Sequence, residues 1–423
     1  MSLVILSAQQ IDGSVRDLYI DPTGRFADPA KAGDDVERFD GQGLIALPGL
    51  VDLHAHLREP GQEEAETIQT GTAAAAAGGF TSVSAMPNTN PITSTVADVE
   101  FMQGRALETA STHVEVIGSI TTELTGGPLS DIGGMHDRCG VTMFSNDGFC
   151  VMNAQTMREA LDIVARFDGV LAQHSQDHNL APADACVHES DVSRALGVRG
   201  WPSQAESAIV ARDCELAELT GARLHVCHIS TAETVDVIRR AKQRGVHVTA
   251  EVTPHHLYLS TAEIACGCST YKVNPPLRTE RDIDALRDAF ADGTIDSLGT
   301  DHAPHPAAKK DKPLAEAAFG MLAYEQALGV VIETMVLTGR MDWQTLAERT
   351  SFAPARIGRI KNQGRPIAVG EPANVVLIDP TSRAIVDREQ SLSKSRNNPY
   401  HGRELPDPVR LTLWGGRETY RRR

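Results

Sequence analysis

The chain has 423 residues, enough for one large barrel with an appendage or for two to three smaller domains. Hydrophobic residues make up 41% and charged residues 23%, an ordinary globular balance that excludes a disordered, collagen-like or fibrous chain. Forty basic against 56 acidic residues give a formal charge of −16, which argues against a nucleic-acid or membrane-surface binder yet allows a local basic pocket for an anionic substrate. No apolar run approaches the ~18 residues of a membrane span. The N-terminus, Met1-Ser-Leu-Val-Ile-Leu, reads as a strand and not as a signal peptide. The seven cysteines are scattered, and Cys266-Gly-Cys268 is the only close pair, so reduced thiols and a cytoplasmic location are expected.

In chain order, residues 1–48 read as short strands and turns, among them Leu3-Val-Ile-Leu and Val15-Arg-Asp-Leu-Tyr-Ile. The last stretch, 366–423, reads the same way, with Asn374-Val-Val-Leu-Ile-Asp and Val409-Arg-Leu-Thr-Leu-Trp. Each end is too short for a core of its own, so the two are expected to pair into one small β-sandwich domain. Between them, residues 49–365 alternate apolar strands with helical patterns. Strand starts are expected near Leu50, Thr81, His113, Val141, Val170, Arg223, His247 and Asp296, the first five spaced by about 30 residues, one strand-plus-helix unit. A helix is expected from Glu206, and another after the capping signal at Thr231 that ends at Gly245. Eight such units predict an α/β fold, a (β/α)8 TIM barrel, with an open doubly wound sheet as the alternative. The longer gaps, 170 to 223 and 247 to 296, must hold insertions.

In a barrel, chemistry collects at the C-terminal ends of the strands. Those ends carry His54 and His56, Asp147, His174, His228 and Asp301. Residues i and i+2 of a strand share a side, so His54 and His56 can chelate one ion together. Neutral imidazoles with carboxylates suit zinc, and six ligands fit two ions with a shared carboxylate. His-x-His alone is weak, but six ligand-type residues on five separate strand ends are hard to explain as core packing. The other histidines are expected to be framework or surface groups. His225 should face away from His228, because their separation is odd. His302 should point away from Asp301, His255 and His256 should give structural support, and His178 should lie outside the ligand set. The lysine-dense stretch from His305 to Gly320 reads either as a solvated loop or as a mobile cover over the barrel mouth, and the second reading is favoured.

The segment Pro48-Gly-Leu-Val-Asp-Leu-His-Ala-His-Leu-Arg-Glu-Pro-Gly resembles the signature of dihydroorotases within the amidohydrolase superfamily, and Gly299-Thr-Asp-His-Ala-Pro-His resembles their second signature. Ala85-Met-Pro-Asn-Thr-Asn-Pro, Lys272-Val-Asn-Pro-Pro-Leu-Arg and Gly370-Glu-Pro-Ala-Asn-Val-Val-Leu-Ile-Asp are also dihydroorotase-like. The resemblance implies zinc-dependent, reversible closure of N-carbamoyl-L-aspartate to L-dihydroorotate in pyrimidine synthesis, with two zinc ions per subunit. It implies that His54, His56 and Asp301 hold one ion, that His174 and His228 complete the second, and that Asp147 bridges them. It further implies that Asp301 is the catalytic acid–base. Arg58, Asn88, Asn274 and His305, with His56 and the backbone at Phe319 and Gly320, would bind substrate. A homodimer and an association with aspartate carbamoyltransferase belong to the same expectation. Many relatives bridge their metals with a carboxylated lysine. Here no lysine occurs between Lys31 and Lys242, and Asp147 stands at that place, as in the class I bacterial type. This counts against the hydantoinase-like alternative. A non-catalytic scaffold, which would have shed ligands, is a third reading.

Overall fold

The computed structural model describes residues 2–422. The two chain ends meet in one eight-stranded sheet. Strand Val375–Ile378 runs antiparallel to Ile45–Pro48 on one side and to Val409–Trp414 on the other, and Leu3–Gln10 pairs with Ile45–Pro48, Val15–Ile20 and Glu37–Asp40. Leu3, Ile5, Leu18, Ile20, Ala46, Val375, Leu377, Leu411 and Leu413 from these strands share one buried cluster. Neither end could bury those side chains without the other.

Ile45–Pro48 passes through Gly49 directly into the central region. A Cβ on Gly49 would lie 2.3 Å from the Thr81 side chain, so only glycine allows the two strands to approach here. The central strands follow in order: β1 (Leu50–Ala55), β2 (Phe80–Ala85), β3 (His113–Val116), β4 (Met143–Ser145), β5 (Val170–Gln173), β6 (Arg223–Val226), β7 (Val248–Val252) and β8 (Ser297–Leu298). All eight expected strands are present. β1–β2–β3 form one parallel run, and β4 through β8 form another, which a short extension of the third strand (Gly118–Ser119) joins through Phe144. The last strand returns to the first: Asp301 N donates to His54 O at 3.0 Å and His56 N to His302 O at 3.0 Å. Val51, Leu53, Met86, Ile117, Met143, Val170, Ala172 and Cys227 meet inside the ring of strands, above Ala355, Ile357 and Ile360. Leu50, Phe80, Val83, Phe144, Leu171, Leu224 and Val226 face the surrounding helices instead.

The helices form where expected. Ala232–Gln243 is capped by Thr231, whose hydroxyl accepts from Thr234 N at 3.2 Å. Gln204–Thr220 covers the stretch expected to be helical from Glu206. The long gaps hold a parallel strand pair, Ala185–His188 with Arg199–Trp201, and the short helices Pro254–Tyr258 and Thr261–Ile264. One expectation fails: Cys266 and Cys268 are joined in a disulfide across Gly267, whose positive φ of 72° curls the chain between them. Cys139, Cys150, Cys186, Cys214 and Cys227 are free thiols.

Candidate active site

Strict alternation along β1 would leave His54 outside, because Val51 and Leu53 already point into the ring of strands. The pairing of β1 with β2 shifts register between Asp52 and Ala55, and this bulge re-phases the strand. Asp52 pins the irregular stretch: its carboxylate accepts from His54 N at 3.2 Å, from Thr300 N at 2.9 Å and from the Thr300 hydroxyl at 2.6 Å. His228 and Asp301 lie beyond the ends of β6 and β8 with φ of 31° and 44°, and Arg58 has φ of 63°. Side-chain residues rarely adopt this left-handed backbone, and its cost is tolerated where the surroundings hold a side chain in place for function.

The six candidate ligands converge on Asp147. Its Oδ2 lies 3.3 Å from His54 Nε2 and 3.3 Å from His56 Nε2. Its Oδ1 lies 3.1 Å from His174 Nδ1 and 3.2 Å from His228 Nε2. Asp301 Oδ1 is 3.1 Å from His56 Nε2 and 3.6 Å from His54 Nε2. All six residues are buried. Two donors bound to the same ion at roughly 2.1 Å in tetrahedral geometry stand about 3.4 Å apart, so the spacing suits shared ions. His54 Nε2 is buried and makes no hydrogen bond, an open donor atom aimed at this cluster. The residues therefore fit metal binding, with two groups of donors: His54, Asp147 and His228, and His54, His56 and Asp301.

The charges are poised to match. Burial opposes the ionised form of Asp147, but the His54 charge and the hydrogen bonds to His174 and His228 outweigh it and hold the carboxyl well below its usual range. Burial likewise works against Asp301, and the hydrogen bond to His56 with the charges of His54 and His56 brings it down to about 2. Both are carboxylates at neutral pH.

Beside the cluster opens a cavity of about 320 Å3. Arg58, Asn88, Asn274, His305, Phe319 and Gly320 all line it, together with His56, Asp147, His174 and Asp301. Arg58 is held by Nε donating to Pro304 O at 3.1 Å. Burial pulls its guanidinium down to about 10, so it remains a cation. His305 Nε2 donates to Phe319 O at 2.6 Å. Burial and the Arg58 charge hold His305 down to about 2, so it is a neutral imidazole. Asn88 Oδ1 accepts from His56 Nδ1 at 2.9 Å, which fixes that ring with Nε2 toward the carboxylates. The cavity thus offers one fixed cation and several neutral donors next to a buried, ligand-rich cluster. This arrangement suits a small anion bearing a polar, hydrolysable group.

A family model described as dihydro-orotase-like matches residues 43–234. The dihydroorotase of Streptomyces coelicolor is 49% identical over 418 residues, spanning 98% of this chain and 97% of the relative. That of Mycobacterium tuberculosis is 44% identical over 389 residues, spanning 92% and 90%. This chain belongs to the dihydroorotase family. Among solved structures, an L-hydantoinase from Arthrobacter aurescens superposes with a TM-score of 0.88 over 99% of this chain and 96% of its own, at 23% identity. That likeness speaks for the fold alone.

Several residues at this site escaped the sequence reading. Glu251, on β7, is fully buried; its Oε1 accepts from His54 Nδ1 at 2.6 Å and its Oε2 from His225 Nε2 at 3.1 Å. A lone carboxylate inside Val248-Thr-Ala-Glu-Val was the available signal. His225 corrects an expectation: it points into the ring of strands beneath the mouth and not away from the site. The parity argument failed because the positive φ of His228 re-aims the later residue. Gln176 Oε1 accepts from Asn274 Nδ2 at 3.2 Å and lies 3.2 Å from His174 Nε2, so it ties a cavity wall to a candidate ligand. Phe149, 39% exposed, lines the cavity two residues after Asp147. Cys227 also lies near His54 and Glu251, but burial, followed by the Glu251 charge, pushes its thiol up to about 12, so it stays protonated. His302 behaves as expected, with Nδ1 accepting from Ala323 N at 3.2 Å and Nε2 3.4 Å from Glu66. His255 and His256 are buried in the helix after β7, bonded to Tyr400 and Pro275 respectively.

Proposed function

We infer that this chain is a dihydroorotase that interconverts N-carbamoyl-L-aspartate and L-dihydroorotate in pyrimidine synthesis, using two zinc ions. The carrying observation is Asp147, whose two carboxylate oxygens each face a separate pair of imidazoles. In this reading His54, His56 and Asp301 would hold one ion, His174 and His228 would hold the other, and Asp147 would be shared. Ions held there would supply Lewis acidity for the ring carbonyl and for the attacking water.

The chain's own residues supply the rest. Arg58 binds the substrate carboxylate with a charged fork. Asn88 adds a donor to the same group, His305 lines that end of the cavity beside Arg58, and Asn274 faces the ureide. Phe319 and Gly320 form the wall beside His305, which stands next to Arg58, and His56 touches substrate from the ligand side. In hydrolysis Asp301, ionised, takes a proton from the attacking water and returns it to the ring nitrogen as the C–N bond breaks. In ring closure Asp301, protonated, gives its proton to the departing oxygen of the substrate carboxylate, then takes the ureide nitrogen's proton as the C–N bond forms and passes it to that oxygen, which leaves as water.

The hydantoinase reading draws support from the shared fold, but the missing lysine at the bridging position weighs against it. The scaffold reading is disfavoured by the complete ligand set. The division into a (β/α)8 barrel over 49–365 and a small β-sandwich built from 1–48 and 366–423 rests on the return of β8 to β1 and on the shared terminal core. A homodimer, association with aspartate carbamoyltransferase and a cytoplasmic location are proposed from the family resemblance, and sedimentation of the purified chain reads the first. The deciding experiment is turnover of dihydroorotate against hydantoin, with and without chelator, alongside zinc content. Dihydroorotate turnover that a chelator abolishes and zinc restores is expected. Turnover of hydantoin alone would overturn the reading.

A further inference from the structure

The least expected buried charge outside the ligand cluster is Lys310, at the end of the short helix Ala307–Lys310. It lies in the lysine-dense stretch that reads from sequence as a solvated loop or a mobile cover, yet it is only 2% exposed. Its Nζ donates to Gly320 O at 2.7 Å, to Lys272 O at 2.8 Å and to Ala318 O at 3.0 Å. An ammonium has three N–H donors, and here each meets a main-chain carbonyl and none a carboxylate. The neighbouring lysines behave as a surface loop predicts: Lys309 is exposed and pairs with Glu64 at 3.0 Å.

The three acceptors belong to two walls of the substrate cavity. Lys272 leads through Val273 to Asn274, and Ala318 and Gly320 flank Phe319. Gly320 N closes the same junction by donating to Lys272 O at 3.0 Å. Phe319 O receives His305 Nε2, and His305 stands beside Arg58. Gly320, with φ of 134°, has no room for a side chain: a Cβ there would lie 2.7 Å from the Ala303 Cβ. The wall cannot adjust locally, and its position depends on what fastens it.

We propose that Lys310 is a positioning residue for the reaction, its buried ammonium fastening the Asn274 wall to the Phe319–Gly320 wall and so fixing the pocket around an anionic substrate. The proposal rests on the dihydroorotase reading of the site. A neutral amine would keep the packing but lose the charge and one of three donors, so the fastening depends on protonation. The charged groups around Lys310 are mostly of its own sign. Burial, then the Lys272 ammonium, bring Lys310 down to about 7, with Asp311 opposing, and Lys310 in turn acts on His305 and His255. Lys272 itself donates to Ala315 O at 3.0 Å and lies 4.4 Å over the Phe319 ring. An anionic substrate favours the protonated lysine, so binding should be tightest below the titration of Lys310 and weaken above it.

The test is the KM and kcat for dihydroorotate from pH 6 to 9 in the zinc-loaded full chain, for the wild type, Lys310→Met and Lys272→Met, with zinc content measured at each pH. Wild-type KM should rise about tenfold across the range, the size expected for one charged hydrogen-bonded group. Lys310→Met should show that raised KM already at pH 6, with no inflection and kcat within about threefold. Lys272→Met, which removes the repelling cation, should move the inflection to higher pH. A Lys310→Met enzyme with wild-type KM and pH profile overturns the proposal. Should that variant fail to fold, a KM inflection that does not move in Lys272→Met overturns it equally. Absence of dihydroorotate turnover in the wild type strikes the activity itself, a separate outcome from unequal or equal behaviour of the variants.

Discussion

Glu251 stands directly behind the ligand cluster and decides which nitrogen His54 presents. By accepting from Nδ1 it fixes the tautomer and leaves Nε2 open toward Asp147 and Asp301. Glu251→Gln keeps the shape but weakens this hold. Metal affinity and activity are expected to fall together by about 10–100-fold, read by metal content and by dihydroorotate turnover. Unchanged zinc content with unchanged turnover would remove Glu251 from that role. Asp147→Ala should be more severe, because each of its oxygens serves a different pair of imidazoles, and a variant with full zinc and full activity would take Asp147 out of the site. In the proposed mechanism Asp301 carries the pH dependence. Hydrolysis needs its ionised form and ring closure, the same path reversed, needs the protonated form. Hydrolysis should therefore rise with pH and ring closure fall, through one apparent pKa that belongs to the coupled site. Parallel profiles in the two directions, measured with zinc supplied, would exclude Asp301 as the shared acid–base. At this scale the sequence was informative about residue type. All six ligand candidates and the lining residues Arg58, Asn88, Asn274, His305, Phe319 and Gly320 meet at one place. Glu251, Gln176 and Phe149 were not legible, because their importance lies in what they touch and not in a pattern of spacing.

Strand ends and short helices are where periodicity stops being a guide. Alternation correctly keeps Val51 and Leu53 inside, but a bulge in β1 and the left-handed backbone at His228 and Asp301 aim the functional side chains. Period-two reasoning assumes regular φ and ψ, and it misassigned His225 for that reason. The helix Pro254–Tyr258 shows the opposite case, where a supporting role was legible but its electrostatic consequence was not. Burial holds His255 down to about 4 and His256 to about 3, the latter with help from neighbouring imidazoles. Both pKa values lie below the ordinary 6.5 of histidine. The unfolded chain therefore takes up protons that the folded chain refuses as pH falls below 6.5. The stability these groups contribute is fully present above that value and is lost as pH drops toward 4 and 3. The melting temperature should fall by several degrees from pH 7 to pH 4.5. His255→Phe should melt lower at pH 7, since the Tyr400 hydroxyl loses its 2.9 Å partner, yet lose less on acidification. An equal pH slope in wild type and variant would show that His255 does not carry this dependence.

The whole molecule is held together by the meeting of its ends. Val375–Ile378 lies between an N-terminal and a C-terminal strand, and the Thr412 hydroxyl donates to Ala76 O at 2.8 Å on the first helix after β1. A chain stopped after Pro408 loses Val409–Trp414 and Arg417–Arg421, uncovering Leu377 and the edge of Val375–Ile378. It should be recovered largely as aggregate, judged by the soluble fraction on expression. A soluble, zinc-binding truncated chain would show that the terminal sheet is dispensable. The sequence alone determined the eight strand–helix units, the pairing of the two ends, the six ligand-type residues and the exclusion of a bridging lysine, because these follow from periodicity, chain length and composition. Only the tertiary structure decided which way each side chain faces, which carboxylate sits behind His54, and that Lys310 lies buried in a stretch that reads as a solvated run of charge. Those outcomes depend on bulges, positive φ angles and contacts between residues far apart in the chain, where burial and charge reverse what a residue's type alone implies.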